Sequence, residues 1–321
     1  MSTMRVLVWH MHGSWLTAFL GGPDEYLLPV VPGRGPEGRG RADTWEWPAS
    51  AREVTPEELR QERFDVVVLQ RPEEIELLHR WTGLRAGVDV PAVYVEHNTP
   101  AGPAAATRHH VADRDDITLV HVTDFNALMW DNGDAPTRVI DHGVPDPGPR
   151  YTGELERIGA VVNEPVRRRR VAGTDVLLRF SEQVPTSVFG MGVEPLAREN
   201  PDLADHLHNL GQHDMHAELA HHRGYLHSYR WTSLGLSLIE AMTLGMPVLA
   251  LATTAAPEAV PPEAGVVSSR PQVLVETAQR WLADPDEARE RGAAGRRHAL
   301  ERFGLDRFVT EWHHQLEEVV A

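Results

Sequence analysis

The segment Thr232 to Leu244 (T-S-L-G-L-S-L-I-E-A-M-T-L) concentrates the groups best suited to chemistry in this 321-residue chain. Thr232 or Ser233 is placed to cap a helix that runs to Gly245, a suitable C′ residue, before Pro247 opens a strand. Free amides and the positive dipole end at such a start attract an anion. Ser233, Ser237, Glu240 and Leu244 fall on one stripe by three-and-four spacing. At about 1.5 Å per residue, Glu240 lies about 10 Å beyond Ser233, the span from a diphosphate to the hydroxyls of its own nucleoside ribose. A carboxylate accepting from two vicinal hydroxyls makes charge-assisted bonds. The plainer alternative is a surface glutamate on an amphipathic helix.

The elements around it read as two α/β series. Met4–Trp9, Phe64–Leu69, Val90–Val95, Ile117–Val122 and Arg138–Ile140 are short apolar runs of the kind buried in a parallel sheet, with a helical segment at Pro72–Trp81. Residues 32–43 are a glycine- and proline-rich loop, and 142–150 read as an interdomain linker. Ile158–Val162, Ser187–Phe189, His208–Leu210, Gly224–His227, Pro247–Leu251 and Gly265–Val267 form the second strand series. Pro271–Ala283, Asp286–Arg302 and Asp306–Val320 have helical spacing. The expected fold class is α/β, with two Rossmann-like domains, 1–148 and 149–304, facing a cleft, and a helix at 305–321 free to pack back on the first.

Composition narrows the partners. Forty-seven acidic against 31 basic residues give a net charge of −16, which disfavours nucleic acid and anionic lipid. No cysteine is present, which removes thiolate chemistry and disulfides; no lysine is present either, so Schiff bases and a phosphate-loop lysine cannot occur. No run is long enough to span a bilayer and no signal segment is evident, so the expected location is the cytoplasm. Adjacent histidines (109–110, 221–222, 313–314) point apart, and the pairs His10–His12 and His213–His216 lack a third ligand, so no metal and no cofactor are assigned. No G-x-S-x-G elbow or phosphate-loop motif occurs.

The stretch Y-L-H-S-Y-R-W-T-S-L-G-L-S-L-I-E-A-M-T-L-G-M-P-V-L-A, followed by Pro257-Glu258 and Ala264 to Val267, resembles the donor-binding motif of retaining GT-B glycosyltransferases of family 4. Other segments are similar to that family's in order: Phe189-Gly190-Met191-Gly192 to its I-V-G-x-G, Asn209-Leu210-Gly211 to its F-L-G, and Asp141 to Val144 to its N-G-V-D. Leu282, Asp284, Pro285, Gly292, Gly295, Arg296, Arg302 and Phe303 resemble its C-terminal L-x-D-P…G-x-x-G-R…R-F. The resemblance implies the GT-B architecture and a nucleoside diphosphate sugar bound by the second domain. It places Gly190, Gly211, Thr232, Ser233, Leu234, Gly235 and Glu240 in donor binding. It also implies that Gly13, in the turn after the first strand, lies at the donor phosphate, and that His97, in Tyr94 to Asn98, contacts the donor sugar. His97 and Glu240 are thus the catalytic candidates; a structural histidine is the alternative for His97.

Two departures stand out. The first glutamate of the family's pair falls on Thr232, and its K-G falls on Ala172-Gly173. Arg167–Arg170 lie just upstream, either as a solvated face or as the diphosphate clamp, with Arg168 and Arg170 the nearer candidates. The implied activity is metal-independent transfer of a hexose-type sugar, with retention, from a UDP- or GDP-sugar to a small-molecule acceptor. Arg34, Arg39 and Arg41 in the 32–43 loop either select that acceptor or simply belong to a solvated loop, the plainer reading. A homologue that binds nucleotide sugar or a partner subunit without turnover is the alternative; sugar-nucleotide epimerases share the architecture, but their acid and base residues are not recognisable here.

Overall fold

The apolar runs pair into two all-parallel sheets in a computed structural model that describes residues 3–321. The first contains β1 (Arg5–Val8), β2 (Glu25–Pro29), β3 (Ala51–Val54), β4 (Val66–Leu69), β5 (Ala92–Glu96), β6 (Thr118–His121) and β7 (Thr137–Val139), ordered β3-β2-β1-β4-β5-β6-β7. The second contains β8 (Leu155–Val161), β9 (Thr186–Phe189), β10 (Leu207–His208), β11 (His222–His227), β12 (Val248–Leu251) and β13 (Gly265–Ser268), ordered β10-β9-β8-β11-β12-β13. Each sheet therefore places its third, second, first, fourth, fifth and sixth strands side by side, the doubly wound order. Strands β2 and β3 are absent from the sequence reading. β2 ends in Pro29, and β3 (A-R-E-V) is an edge strand with two polar side chains, so neither is a long β-branched run.

Residue alternation fills both faces of the first sheet. Val6, Val8, Val66, Val68, Val93, Val95 and Val120 pack with Trp15, Phe19, Phe308, Trp312 and Leu316. Leu7, Val67, Leu69, Tyr94 and Leu119 pack with Leu77, Leu78 and Trp81 of the Pro72–Thr82 helix. In the second sheet Ile158, Ala160, Val188, Leu226 and Leu249 share a core with Leu177, Phe180, Leu274 and Trp281.

The chain divides into one unit of Met1–Pro145 with Phe303–Ala321 and a second of Asp146–Arg302. The expected linker at 142–150 is split by packing. Val144 donates to the Phe303 carbonyl at 2.9 Å, and Gly143 lies so close to Phe308 that a Cβ there would approach Phe308 Cβ to 2.3 Å. Beyond the division, Tyr151 donates to the Leu244 carbonyl and Thr152 to that of Ala220, both in the second unit. The amphipathic Leu305–Val320 helix returns the chain to the first sheet through Phe308 and Trp312. Among the described residues, no helix is long and apolar enough to cross a membrane.

Candidate functional site

In a doubly wound sheet, ligands bind outside the strand carboxyl ends where the connections diverge. In the second unit that point lies between β8 and β11, bordered by residues 162–164 and 228–235. The helix after β11 spans Leu236–Leu244 and ends on Gly245 in the left-handed region, as its sequence predicts. Its start differs from expectation. Gly235, not Thr232 or Ser233, is the N-cap, and it supplies no side-chain cap. The cause is packing: Ser233 and Leu234 are buried, the Ser233 carbonyl accepts from Ala255 N–H at 3.3 Å, and the extended Gly235 leaves room for the buried His227 ring. A Cβ on Gly235 would sit 2.4 Å from His227 Cε1. Ser233 therefore precedes the helix and is not on its stripe. Ser237 is on it and accepts from the Tyr225 hydroxyl at 2.9 Å.

Glu240, one turn deeper, is 8% exposed. Gln212 Nε2 donates to its Oε1 at 2.7 Å, and His216 Nε2 lies 3.4 Å from Oε2. Both partners come from the Gln212–Leu219 helix, whose N-cap is Gly211. Neither was identified as a partner of Glu240 in the sequence; the signal was their position directly after the N-L-G turn. His213 is exposed while His216 is buried toward Glu240, so these two histidines do not converge. Among the described residues, no group of three or more potential ligands is arranged to hold a metal ion.

Around this point the glycines have steric causes. Gly190 has φ +138° and its amide donates to the His208 carbonyl, so the turn after β9 requires glycine. Gly173 has φ +68°, and a Cβ there would fall 1.7 Å from the Ser228 carbonyl oxygen. Its neighbour Ala172 is fully buried, its carbonyl accepting from Ser228 Oγ at 2.9 Å. Gly211 faces open space.

The arginine run separates. Arg167 pairs with Glu164, Arg169 with Glu199 at 2.5 Å, and Arg170, 80% exposed, with Asp175 at 3.7 Å. Arg230 also binds Asp175, at 2.5 and 2.7 Å. Arg168 alone of the four stacks on an aromatic face, its guanidinium 5.2 Å from the Tyr229 ring centre in the loop after β11. Tyr229 in turn stacks on His227 at 5.0 Å. Burial lowers the His227 pKa to about 3.

In the first unit the equivalent point lies between β1 and β4. Gly13 opens the Gly13–Phe19 helix with Trp45 against it; a Cβ there would lie 3.3 Å from the indole nitrogen. His97, 8% exposed, follows β5 and donates from Nε2 to Gln70 Oε1 at 3.0 Å. Its ring lies 4.1 Å from that of His12 and edge-on to Trp15 at 4.9 Å. Burial, with His12 and His142 nearby, holds the His97 pKa well below the usual histidine value; His142 is lowered to about 4 and His12 is lowered too, again chiefly by burial. His10 instead faces Gly40 and Trp47, so it does not pair with His12. Of the loop arginines, Arg34 binds Glu53 at 2.8 Å and Arg41 holds the carbonyls of Trp47, Pro48 and Ala51, whereas Arg39 is exposed.

Residues 160–314 match the model of the glycosyl transferase-like family. No curated protein matches the chain in sequence. Among solved structures, sucrose-phosphate synthase from Thermosynechococcus elongatus aligns with a TM-score of 0.71 at 16% identity, over 98% of this chain and 99% of that one. Anabaena Alr3699/HepE in complex with UDP and glucose aligns at 0.72 and 14%, over 98% and 100%. A glycosyltransferase from Rickettsia africae aligns at 0.67 and 11%, over 100% and 99%. At such identities the likeness is one of fold, and the fold is GT-B.

Proposed function

We propose that this protein is a glycosyltransferase that moves a hexose-type sugar from a nucleoside diphosphate sugar to a small-molecule acceptor with retention. The observation that carries the reading is Glu240: a buried carboxylate, held by Gln212 with His216 beside it, one turn into a helix that starts at the switch point of the second sheet. In this reading Glu240 accepts from the two ribose hydroxyls. The diphosphate lies at the loop of Thr232, Ser233, Leu234 and Gly235, against the helix start and Arg168. Met191 and Leu210, both exposed beside Gly190 and Gly211, offer apolar surface to a base. The Anabaena protein and Staphylococcus aureus TarM are solved with UDP, which supports UDP over GDP for this chain.

The bond from the anomeric carbon to the diphosphate oxygen breaks, and its electron pair leaves with the diphosphate. The acceptor hydroxyl adds on the same face, and its proton passes to the departing phosphate oxygen. Charge grows on the diphosphate as the bond breaks, so helix amides and Arg168 stabilise the transition state more than the ground state. His97 is read as a contact for hydroxyls of the transferred sugar. Binding without turnover is favoured by two features: Thr232 stands where the family has its first glutamate, and Ala172 where it has a lysine. Arg168 over Tyr229 supplies a cation at the neighbouring loop instead.

The test is to incubate the protein with UDP- and GDP-sugars and acceptor mixtures and follow nucleoside diphosphate release. Release that Glu240→Ala abolishes supports transfer. A thermal shift with nucleotide but no release across broad panels identifies the non-catalytic binder.

A further inference from the structure

Gln70 follows β4 and is buried. Its side-chain Nε2 donates to the Trp9 carbonyl at 2.8 Å. A carbonyl has no proton to give, so the amide nitrogen faces it and Oε1 is turned toward His97 Nε2, 3.0 Å away. An amide oxygen only accepts, so His97 carries its proton on Nε2. The Gln70 backbone is fixed as well: its N–H donates to Glu74 Oε2 at 2.6 Å, and Arg71 Nε donates to the other oxygen of that fully buried carboxylate at 2.9 Å. One amide thus joins the carboxyl ends of three adjacent strands, β1, β4 and β5.

We propose that Gln70 is a positioning residue: it locks His97 in the Nε2–H tautomer and fixes its ring, so that Nδ1 is the proton-accepting nitrogen. The proposal rests on the reading of His97 as a sugar-contacting group. The partner of one ring nitrogen sets the chemistry of the other, and burial beside His12 and His142 keeps the ring neutral. A neutral ring with a fixed tautomer presents one fixed hydrogen-bonding pattern to whatever meets it.

Long-range proton–nitrogen spectra of the full-length protein labelled with ¹⁵N-histidine read the tautomer directly. The wild type is expected to show Nε2–H at His97 at pH 7. Gln70→Met, which keeps the volume but loses both polar contacts, is expected to lose that preference. It should also lower kcat with UDP-glucose by about 10- to 100-fold, the loss typical where the orienting partner of a metal-bound histidine is removed, with donor KM changed by less than about twofold. Gln70→Glu, which serves also if Gln70→Met does not fold, keeps an oxygen opposite Nε2. It should retain Nε2–H and move the acidic limb of the kcat profile to higher pH, because a carboxylate favours the imidazolium. An Nδ1–H signal in the wild type, an unchanged tautomer and kcat in Gln70→Met, or an unmoved profile in Gln70→Glu overturns the proposal. If His97→Ala retains wild-type turnover, the reading of His97 fails instead, and the spectra still decide whether Gln70 sets the tautomer.

Discussion

The two units share one strand order but furnish its switch point differently. In the second, Gly173, Gly190 and Gly235 bring backbone close to the point where β8 and β11 diverge, and one carboxylate, Glu240, is held ready behind them. In the first, the same point is filled by side chains: His12, His97 and Gln70 pack beside Trp15 and the end of β1, with His142 near the two imidazoles. A loop of bare backbone suits a phosphate, whose oxygens accept from many amides. A cluster of neutral imidazoles suits hydroxyls, which both donate and accept. On the proposed reading one topology serves two recognition chemistries, and the difference lies in what stands at the strand ends.

The largest expected effect comes from breaking the backbone side of this comparison. Gly173→Ala places a Cβ against the Ser228 carbonyl at a positive φ, and should destabilise the protein by roughly 2–4 kcal/mol, read by urea unfolding. A wild-type midpoint would show that the close approach is not needed.

Acid should weaken both units, through different histidines. His121 and His142 in the first, and His222 and His227 in the second, have pKa values lowered by burial to about 4, 4, 4 and 3. Each stays neutral in the fold but binds a proton on unfolding below about pH 6.5, so stability is held above that pH and lost as pH falls toward 4. Each group contributes a slope of up to about 1.4 kcal/mol per pH unit in that window. Melting temperatures between pH 7 and pH 4.5 check this; a flat profile would contradict it.

Arg168→Ala should weaken nucleoside diphosphate binding by roughly tenfold or more, the worth of about one hydrogen bond to a charged group. Arg170→Ala, whose side chain turns to Asp175, should change it by less than about twofold. Equal effects from the two would erase the distinction drawn within the run. Gln212→Ala, which frees one Glu240 oxygen, should cost roughly two- to tenfold in the same titration.

Much of this was legible in the sequence. Valine runs such as Val66–Leu69 and Val93–Val95 announced a parallel sheet because both faces are buried, and Gly245 announced the helix end because only glycine adopts that conformation cheaply. Glu240 stood out through the resemblance of its surroundings; the spacing that joined it to Ser233 on one helical stripe does not hold, because the helix begins only after Gly235. The helix start was not legible, because Ser233 looks like a cap locally and is drawn out of that role by Ala255, more than twenty residues on. The partners Gln212 and Gln70 were invisible for a related reason: each acts across the sheet on a residue 28 or 27 positions away. Pairing at that separation is set by the strand order rather than by local pattern.

The central claim is that Glu240 grips the ribose of a nucleoside diphosphate. Calorimetric titration of the wild type and Glu240→Ala with UDP and with 2′-deoxy-UDP tests it as a cycle. The account predicts that the wild type prefers UDP by about tenfold or more and that Glu240→Ala binds both weakly with no preference. Equal wild-type affinity for the two, or a preference that survives in Glu240→Ala, would contradict it.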